Sequence, residues 1–176
     1  MMTWMKSFDE ISQRIFCVPI FVPESAQRYR ALFRYPERIT RTFKNQMKNV
    51  KTCLLIDDDV DDHEIFSMAL EDAGIAVDLV SEFSASSALD RLNSIDRIPD
   101  IIFLDLNMPK IGGKQCLAEI RKKEHLKQTP VIIYSTSADI RDLIETRELG
   151  ASAYVVKSSR LEDLIAALND CLSTLK

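Results

Sequence analysis

Glycine is scarce in this chain, four residues in 176. No glycine-rich nucleotide-binding loop can be drawn from Gly74, Gly112, Gly113 and Gly150, so a kinase-type catalytic domain is excluded. Histidine is scarcer still, at His63 and His125 only. The four cysteines, Cys17, Cys53, Cys116 and Cys171, stand far apart with no Cys-x-x-Cys. Neither histidine completes a metal-ligand spacing with them, so a zinc-type site is not expected. Reduced thiols in a cytoplasmic protein are the plain reading, with Cys53 and Cys116 filling core space. No apolar run approaches the ~20 residues that span a bilayer, so no membrane insertion is expected. Residues 15–22 are apolar but short, broken by Pro19 and preceded by Asp9 and Glu10, which does not suit a signal peptide. There is no internal repeat and no low-complexity tract.

What remains is an ordinary soluble composition, 46% apolar and 28% charged, enough for one domain with residues to spare. The net charge of −4 is unevenly spread. Residues 1–50 carry nine Lys/Arg against four Asp/Glu, and the rest of the chain is strongly acidic. The acidic part has the wrong sign for nucleic acid, and none is expected as a partner. The basic part interleaves its charges with Glu and aromatics, as a solvated helix or tail does.

Regular patterning begins near Thr52. Apolar runs at 53–56, 101–104, 131–134 and 153–156 are too short for helices and rich in β-branched residues, which predicts buried parallel strands. A weaker strand is predicted at 76–81. Helical stripes lie between them: Ile65, Met68, Ala69 and Ala73; Ala88, Leu89 and Leu92 after the cap-like Ser84; Leu117, Ile120 and Arg121 after Gly113; Ile140, Leu143, Ile144 and Leu149 up to Gly150; and Leu161, Leu164, Ile165, Leu168 and Leu172. Five β-α units predict an α/β fold, a doubly wound five-stranded parallel sheet of flavodoxin-like type. In such sheets a site forms outside the carboxyl ends of the strands.

The acidic residues fall there. Asp57-Asp58-Asp59 ends one apolar run and Asp105 ends another, with Asn107 and Pro109 following. Carboxylates brought that close repel one another unless a cation lies among them. An all-oxygen donor set suits a hard ion such as Mg²⁺. Ser135 and Lys157 end two further strands. In the same region, Asp61 or Asp62 is expected to cap the first helix of the domain. His63 is expected at the surface, and His125 at a solvated helix end beside Arg121, Lys122 and Lys123.

These motifs, in this order, resemble a receiver domain of a two-component response regulator. The resemblance runs from about residue 51 to residue 175, or about seven-tenths of the chain. It implies a (βα)5 receiver at 47–176, preceded by a basic N-terminal extension at 1–46. That extension contains Pro19, Pro23 and Pro36 and one predicted helix at 24–33. It reads equally as a start assigned too far upstream or as a docking or dimerising segment. The resemblance further implies that Asp105 is the phosphoacceptor. Asp57 and Asp58, with Asp105 and the backbone carbonyl of Asn107, would hold Mg²⁺. Lys157 and Ser135 would meet the phosphoryl oxygens, and Ser135 and Tyr154 would form the switch. The implied donor is a phosphohistidine on a sensor histidine kinase or a histidine phosphotransfer protein. A downstream protein effector and a second copy of the chain stand as further partners, and no turnover of a free substrate is expected.

The chain departs from the family pattern at two places. Ser158 stands where proline commonly follows the lysine, so a trans bond is expected there. Thr136 follows the switch hydroxyl where a smaller residue is common, which predicts slower loss of the phosphoryl group. Three rival functions fit the residues less well. A haloacid-dehalogenase-type phosphatase wants an acid two residues after the nucleophile, where this chain has Asn107. A phosphate-independent interaction module typically loses the acidic pair, the acceptor or the lysine, all of which are present. A DNA-binding regulator needs a helix-turn-helix unit, and residues 1–46 show none.

Overall fold

The structure, a computed structural model, describes residues 20–21, 52–93 and 98–174. The 24–33 helix, the start of the domain at 47–51, and Cys17 lie outside the described residues, and the side chains of Cys171 and Leu172 are likewise not described. Strands β1 (Ile20–Phe21), β2 (Thr52–Ile56), β3 (Asp78–Glu82), β4 (Ile101–Leu104), β5 (Val131–Ser135) and β6 (Ala153–Val156) form one sheet. Its order is β1-β6-β5-β4-β2-β3 and every pairing is parallel. Helices α1 (Val60–Asp72), α2 (Ala85–Asn93), α3 (Gly113–Lys122), α4 (Ile140–Glu148) and α5 (Leu161–Thr174) connect and cover the strands. The five predicted β-α units are therefore present. The addition is β1, from the N-terminal segment, which pairs its Ile20 with Tyr154 and Phe21 with Val155 and so takes the sheet edge that β6 would otherwise form.

The sheet is buried on both faces, which is why its central strands read as unbroken apolar runs. Alternate residues serve opposite layers. Leu54, Ile56, Ile102, Leu104, Ile133 and Tyr154 pack with residues of α2 and α3, and Leu143 and Leu149 join that layer. Cys53, Leu55, Phe103, Ile132 and Val155 pack against Phe66, Ala69 and Leu70 of α1 and Leu164 and Leu168 of α5. Cys53 and Cys116 are free, buried thiols, as expected; burial pushes Cys116 up to about 12 and Cys53 higher.

Two predicted helix stripes need correction. The inward face of α1 is His63, Phe66, Ala69 and Leu70, while Ile65 and Met68 point outward, Met68 at 53% exposure. His63 is a core residue, not a surface one. The apolar content of α1 is spread around the helix, so its stripe could be drawn on either side. In α4, Ile140 and Ile144 are exposed and Thr146 is its buried residue, its hydroxyl donating to the Asp142 carbonyl at 2.7 Å. Gly150 does end this segment, at φ 97, a conformation glycine adopts without Cβ conflict.

Arg121 links three segments on the α3 side. Its guanidinium donates to the carbonyls of Gly150 (2.9 Å), Leu126 (3.1 Å) and Thr129 (2.9 Å). A Cβ at Gly150 would sit 3.2 Å from its Nε. Arg121→Ala removes these three hydrogen bonds, although the Leu126 carbonyl keeps the Thr129 amide at 3.1 Å, and each hydrogen bond from a charged donor contributes roughly 1.5–3 kcal/mol at most. The expected loss is about 2 kcal/mol of unfolding free energy by urea denaturation. Arg121→Lys is expected to restore only part, because one ammonium cannot reproduce the planar fork.

Candidate functional site

Register builds the site. Ile56 of β2 lies opposite Leu104 of β4. The next residues, Asp57 and Asp105, therefore leave neighbouring strands at the same level. The Asp105 amide donates to the Ile56 carbonyl at 2.9 Å and the Asp57 amide to the Glu82 carbonyl at 3.0 Å, extending the ladder by one step on each side. On the next strands Ser135 pairs with Val156, and the Lys157 amide donates to the Ser135 carbonyl at 2.8 Å. The carboxyl ends of β2, β4, β5 and β6 thus converge on one crevice, where open parallel sheets place their sites.

Asp57 and Asp105 are buried and Asp58 is exposed at the rim, with one carboxylate oxygen of each within 4.8 Å of the others. Asp105 is 3% exposed. Its Oδ2 accepts from the Asn107 amide at 2.7 Å, while its Oδ1 is buried without a hydrogen bond and lies 3.5 Å from Lys157 Nζ. Such an oxygen is costly unless something positive completes it. Three carboxylates, one with an unsatisfied buried oxygen, make an oxygen-only set that fits a hard divalent cation such as Mg²⁺.

Lys157 is the described ammonium among these carboxylates. Its Nζ lies 2.7 Å from Asp57 and 2.6 Å from Asp62, and 5.1 Å from the centroid of the Tyr134 ring. Burial pulls the lysine down, but the hydrogen bonds it donates to Asp57 and Asp62 outweigh that and hold the ammonium above its ordinary value. Burial pushes the Asp57 carboxyl up, and Lys157 works against that push.

Ser135 and Tyr154 adjoin the crevice. Ser135 is fully buried. Its Oγ lies 3.4 Å from Asn107 Nδ2 and accepts from the Ser137 amide at 3.3 Å. The Tyr154 ring is already packed inward, and its hydroxyl donates to the Ser137 carbonyl at 2.9 Å. Burial raises this phenol to about 12. The Ser137 hydroxyl in turn donates to Asp142 of α4, which is paired with Lys114 of α3 at 2.7 Å. Thr136 is exposed, its Oγ1 3.4 Å from Asn107 Nδ2. No cis peptide occurs among the described residues, the Lys157–Ser158 bond included.

Every residue singled out from sequence as a ligand, acceptor or switch therefore lies in or beside one crevice. Three neighbours were misjudged. Asp59, rather than Asp61 or Asp62, caps α1, its side chain accepting from the Asp61 amide at 2.9 Å. Asp62 instead faces Lys157. His63, the buried residue of that turn, bridges the Asp57 carbonyl and the Ser81 hydroxyl at 2.9 Å each and stacks on Phe83. Placing the cap at Asp59 would have set the helical phase and turned His63 inward with Phe66 and Leu70. His125 is exposed, as expected, with Nε2 3.1 Å from the Leu92 carbonyl.

Gly113 makes the loop possible. A Cβ there would lie 2.0 Å from the Asp105 carbonyl oxygen and 2.6 Å from Leu106 Cα. Only glycine lets α3 begin this close to the strand end that carries Asp105.

Comparison with known proteins gives concordant matches. The family model described as "Response regulator receiver domain" matches residues 53–169. Response regulator Rcp1 of Synechocystis sp. (strain ATCC 27184 / PCC 6803 / Kazusa) is 33% identical over 119 residues, covering 65% of this chain and 81% of that protein. The DNA-binding dual master transcriptional regulator RpaA of the same organism is 30% identical, but the match spans only 48% of its length. Among solved structures, the phosphorylated cyanobacterial phytochrome response regulator RcpA aligns with TM-score 0.65 at 28% identity, over 71% of this chain and 93% of that one. The Mn(2+)-bound form of Rcp1 aligns with TM-score 0.62 at 31% identity, over 70% and 92%.

A bound divalent cation should stabilise the fold in proportion to its occupancy. At a Mg²⁺ concentration about a hundredfold above its Kd, a gain of roughly 2.7 kcal/mol is expected, read as a rise in melting temperature. Asp58→Asn should lose most of that rise while leaving the melting temperature in chelator little changed, because Asp58 is exposed.

Proposed function

This chain belongs to the response regulator receiver family of two-component systems, and on that premise we propose that it accepts a phosphoryl group from a phosphohistidine onto Asp105 and relays the event by switching a docking surface. The observation that carries the reading is the Asp105 carboxylate. It is buried, flanked by Asp57 and Asp58, faced by Lys157, and has an oxygen without a hydrogen bond.

The residues have distinct roles in this proposal. Asp57, Asp58 and Asp105, with the Asn107 carbonyl, would hold Mg²⁺, which supplies positive charge to the phosphoryl oxygens. An Asp105 carboxylate oxygen forms the new bond to phosphorus as the P–N bond of the phosphohistidine breaks. The imidazole leaves with the bonding pair. Such transfers depend on in-line placement and neutralised oxygens more than on covalent assistance. Lys157 contributes a compact point charge to one oxygen, and the Ser135 hydroxyl donates to another. The donor would sit on a sensor histidine kinase or a phosphotransfer protein.

Signal output follows from the same hydroxyl. Drawing Ser135 toward the phosphoryl group breaks its contact with the Ser137 amide. The Ser137 carbonyl holds Tyr154 and its hydroxyl holds Asp142, so this small shift reaches β6 and α4. Phosphorylation biases an existing equilibrium, and moving it from 1:99 to 99:1 takes about 5.5 kcal/mol of differential stabilisation. A downstream effector would read the altered surface of α4, β6 and α5, on which β1 lies along β6 and Ile140 and Ile144 are exposed.

Incubation with Mg²⁺ and a small acyl phosphate, read by intact mass, is expected to add one phosphoryl group to the wild type. Chelator or Asp105→Asn should prevent it. If neither that donor nor a phosphorylated histidine donor adds a group, the proposal fails in favour of a phosphate-independent receiver-like module. For the phosphorylated protein, Thr136→Ala is expected to shorten the phosphoryl half-life by a factor of about three or more, corresponding to a fraction of the 1.36 kcal/mol that makes tenfold. An unchanged half-life removes Thr136 as a shield against water.

A further inference from the structure

Lys157 is held most closely by a carboxylate outside the cation-binding set. Its Nζ lies 2.6 Å from Asp62, 2.7 Å from Asp57 and 3.5 Å from Asp105. Asp62 stands in the first turn of α1 without capping it, and it is not one of the three clustered carboxylates. The Lys157 side chain is 8% exposed and that of Asp62 24%, so the pair is sheltered from the screening that weakens surface ion pairs. An ammonium has three N–H donors. Asp57 and Asp62 each lie at hydrogen-bond distance, and the Tyr134 ring lies over a further side.

We propose that Asp62 is a positioning residue that restrains Lys157 on the α1 side of the crevice and so sets how readily it turns to a phosphoryl group on Asp105. The inference rests on Asp105 being the acceptor. The reasoning is one of differential binding. An interaction that stabilises Lys157 more before transfer than during it raises the barrier, because only contacts strengthened in the transition state accelerate the step. Asp62 holds the ammonium away from the oxygen it must serve. Its hold is therefore a brake on phosphorylation and a pull on Lys157 away from the phosphorylated state.

The test is a double-mutant cycle on the full chain with Mg²⁺ and a small acyl phosphate, with rate followed against donor concentration by intact mass. Asp62→Asn is expected to raise the limiting rate about threefold or more, within the range of coupling seen for residues in one ion-pair network. In the Lys157→Met background the gain should vanish. Asp61→Asn removes the same charge from the same helical turn at an exposed position, and should leave the limiting rate unchanged. The same cycle read as affinity for beryllofluoride in Mg²⁺ requires no turnover and serves variants that react too slowly. An equal gain with and without Lys157, or an equal gain in Asp61→Asn, would make the effect one of bulk charge and overturn the inference. A slower limiting rate in Asp62→Asn would overturn it as well. If the wild type is phosphorylated and Asp62→Asn changes nothing, only this inference falls. If the wild type takes neither a phosphoryl group nor beryllofluoride, the acceptor reading falls with it.

Discussion

The chemistry of this protein depends on one ammonium among four carboxyl groups. Asp57, Asp62 and Asp105 all lie within 3.5 Å of Lys157 Nζ, and Asp58 stands beside them at the rim. Burying charge is expensive, and a buried carboxylate is tolerated only where a cation and hydrogen bonds complete it. Lys157 meets part of that demand and leaves Asp105 Oδ1 unsatisfied. The parallel sheet creates this tension deliberately in the geometric sense, because its register brings Asp57 and Asp105 out side by side. A crevice with surplus negative charge suits a divalent ion, and the proposed phosphoryl transfer would draw on that ion. Affinity for charge is built into the backbone ladder before any side chain is considered.

Much of this was legible in the sequence, for a physical reason. Strands buried on both faces must be short and wholly apolar, so 53–56, 101–104 and 131–134 stand out from their surroundings. The first polar residue after each run is then placed at a strand end. Asp57, Asp105, Ser135 and Lys157 follow from that rule alone, and the order of the β-α units brings them together. The first turn of α1 was less legible. Asp57 to Asp62 contains five acids and one valine, so composition does not reveal which acid caps the helix, which faces a cation and which is solvated. The assignment depends on helical phase, and phase is set by the cap. An error of two or three residues there turned His63 outward and Asp62 into a capping residue.

The amphipathic stripes on α1 and α4 held only in part: Ala69, Leu143 and Leu149 pack inward and the others do not. In α1 apolar residues stand on more than one side, and a stripe marks the core only when the opposite side is polar; in α4 Ile140, Leu143 and Ile144 share one stripe, of which Leu143 is the residue packed against the core. Met68 and Ile65 on α1, and Ile140 and Ile144 on α4, remain outside in the single chain. Thr146 is buried in their place because its hydroxyl is satisfied within its own helix by the Asp142 carbonyl. A polar residue that closes its own hydrogen bond can occupy the core side, and residue type alone does not disclose that.

The sixth strand inverts the order of synthesis. Within the described sheet Ile20 and Phe21 are made before every other strand, and their partners Tyr154 and Val155 belong to the last of them. During translation this segment has no strand to join. The contact it eventually makes is the most non-local in the sheet, and non-local pairings are closed late because the intervening chain must be ordered first. The five β-α units can assemble as they emerge, each on a strand already made. One edge of the sheet is finished only when its first-made strand meets its last-made one.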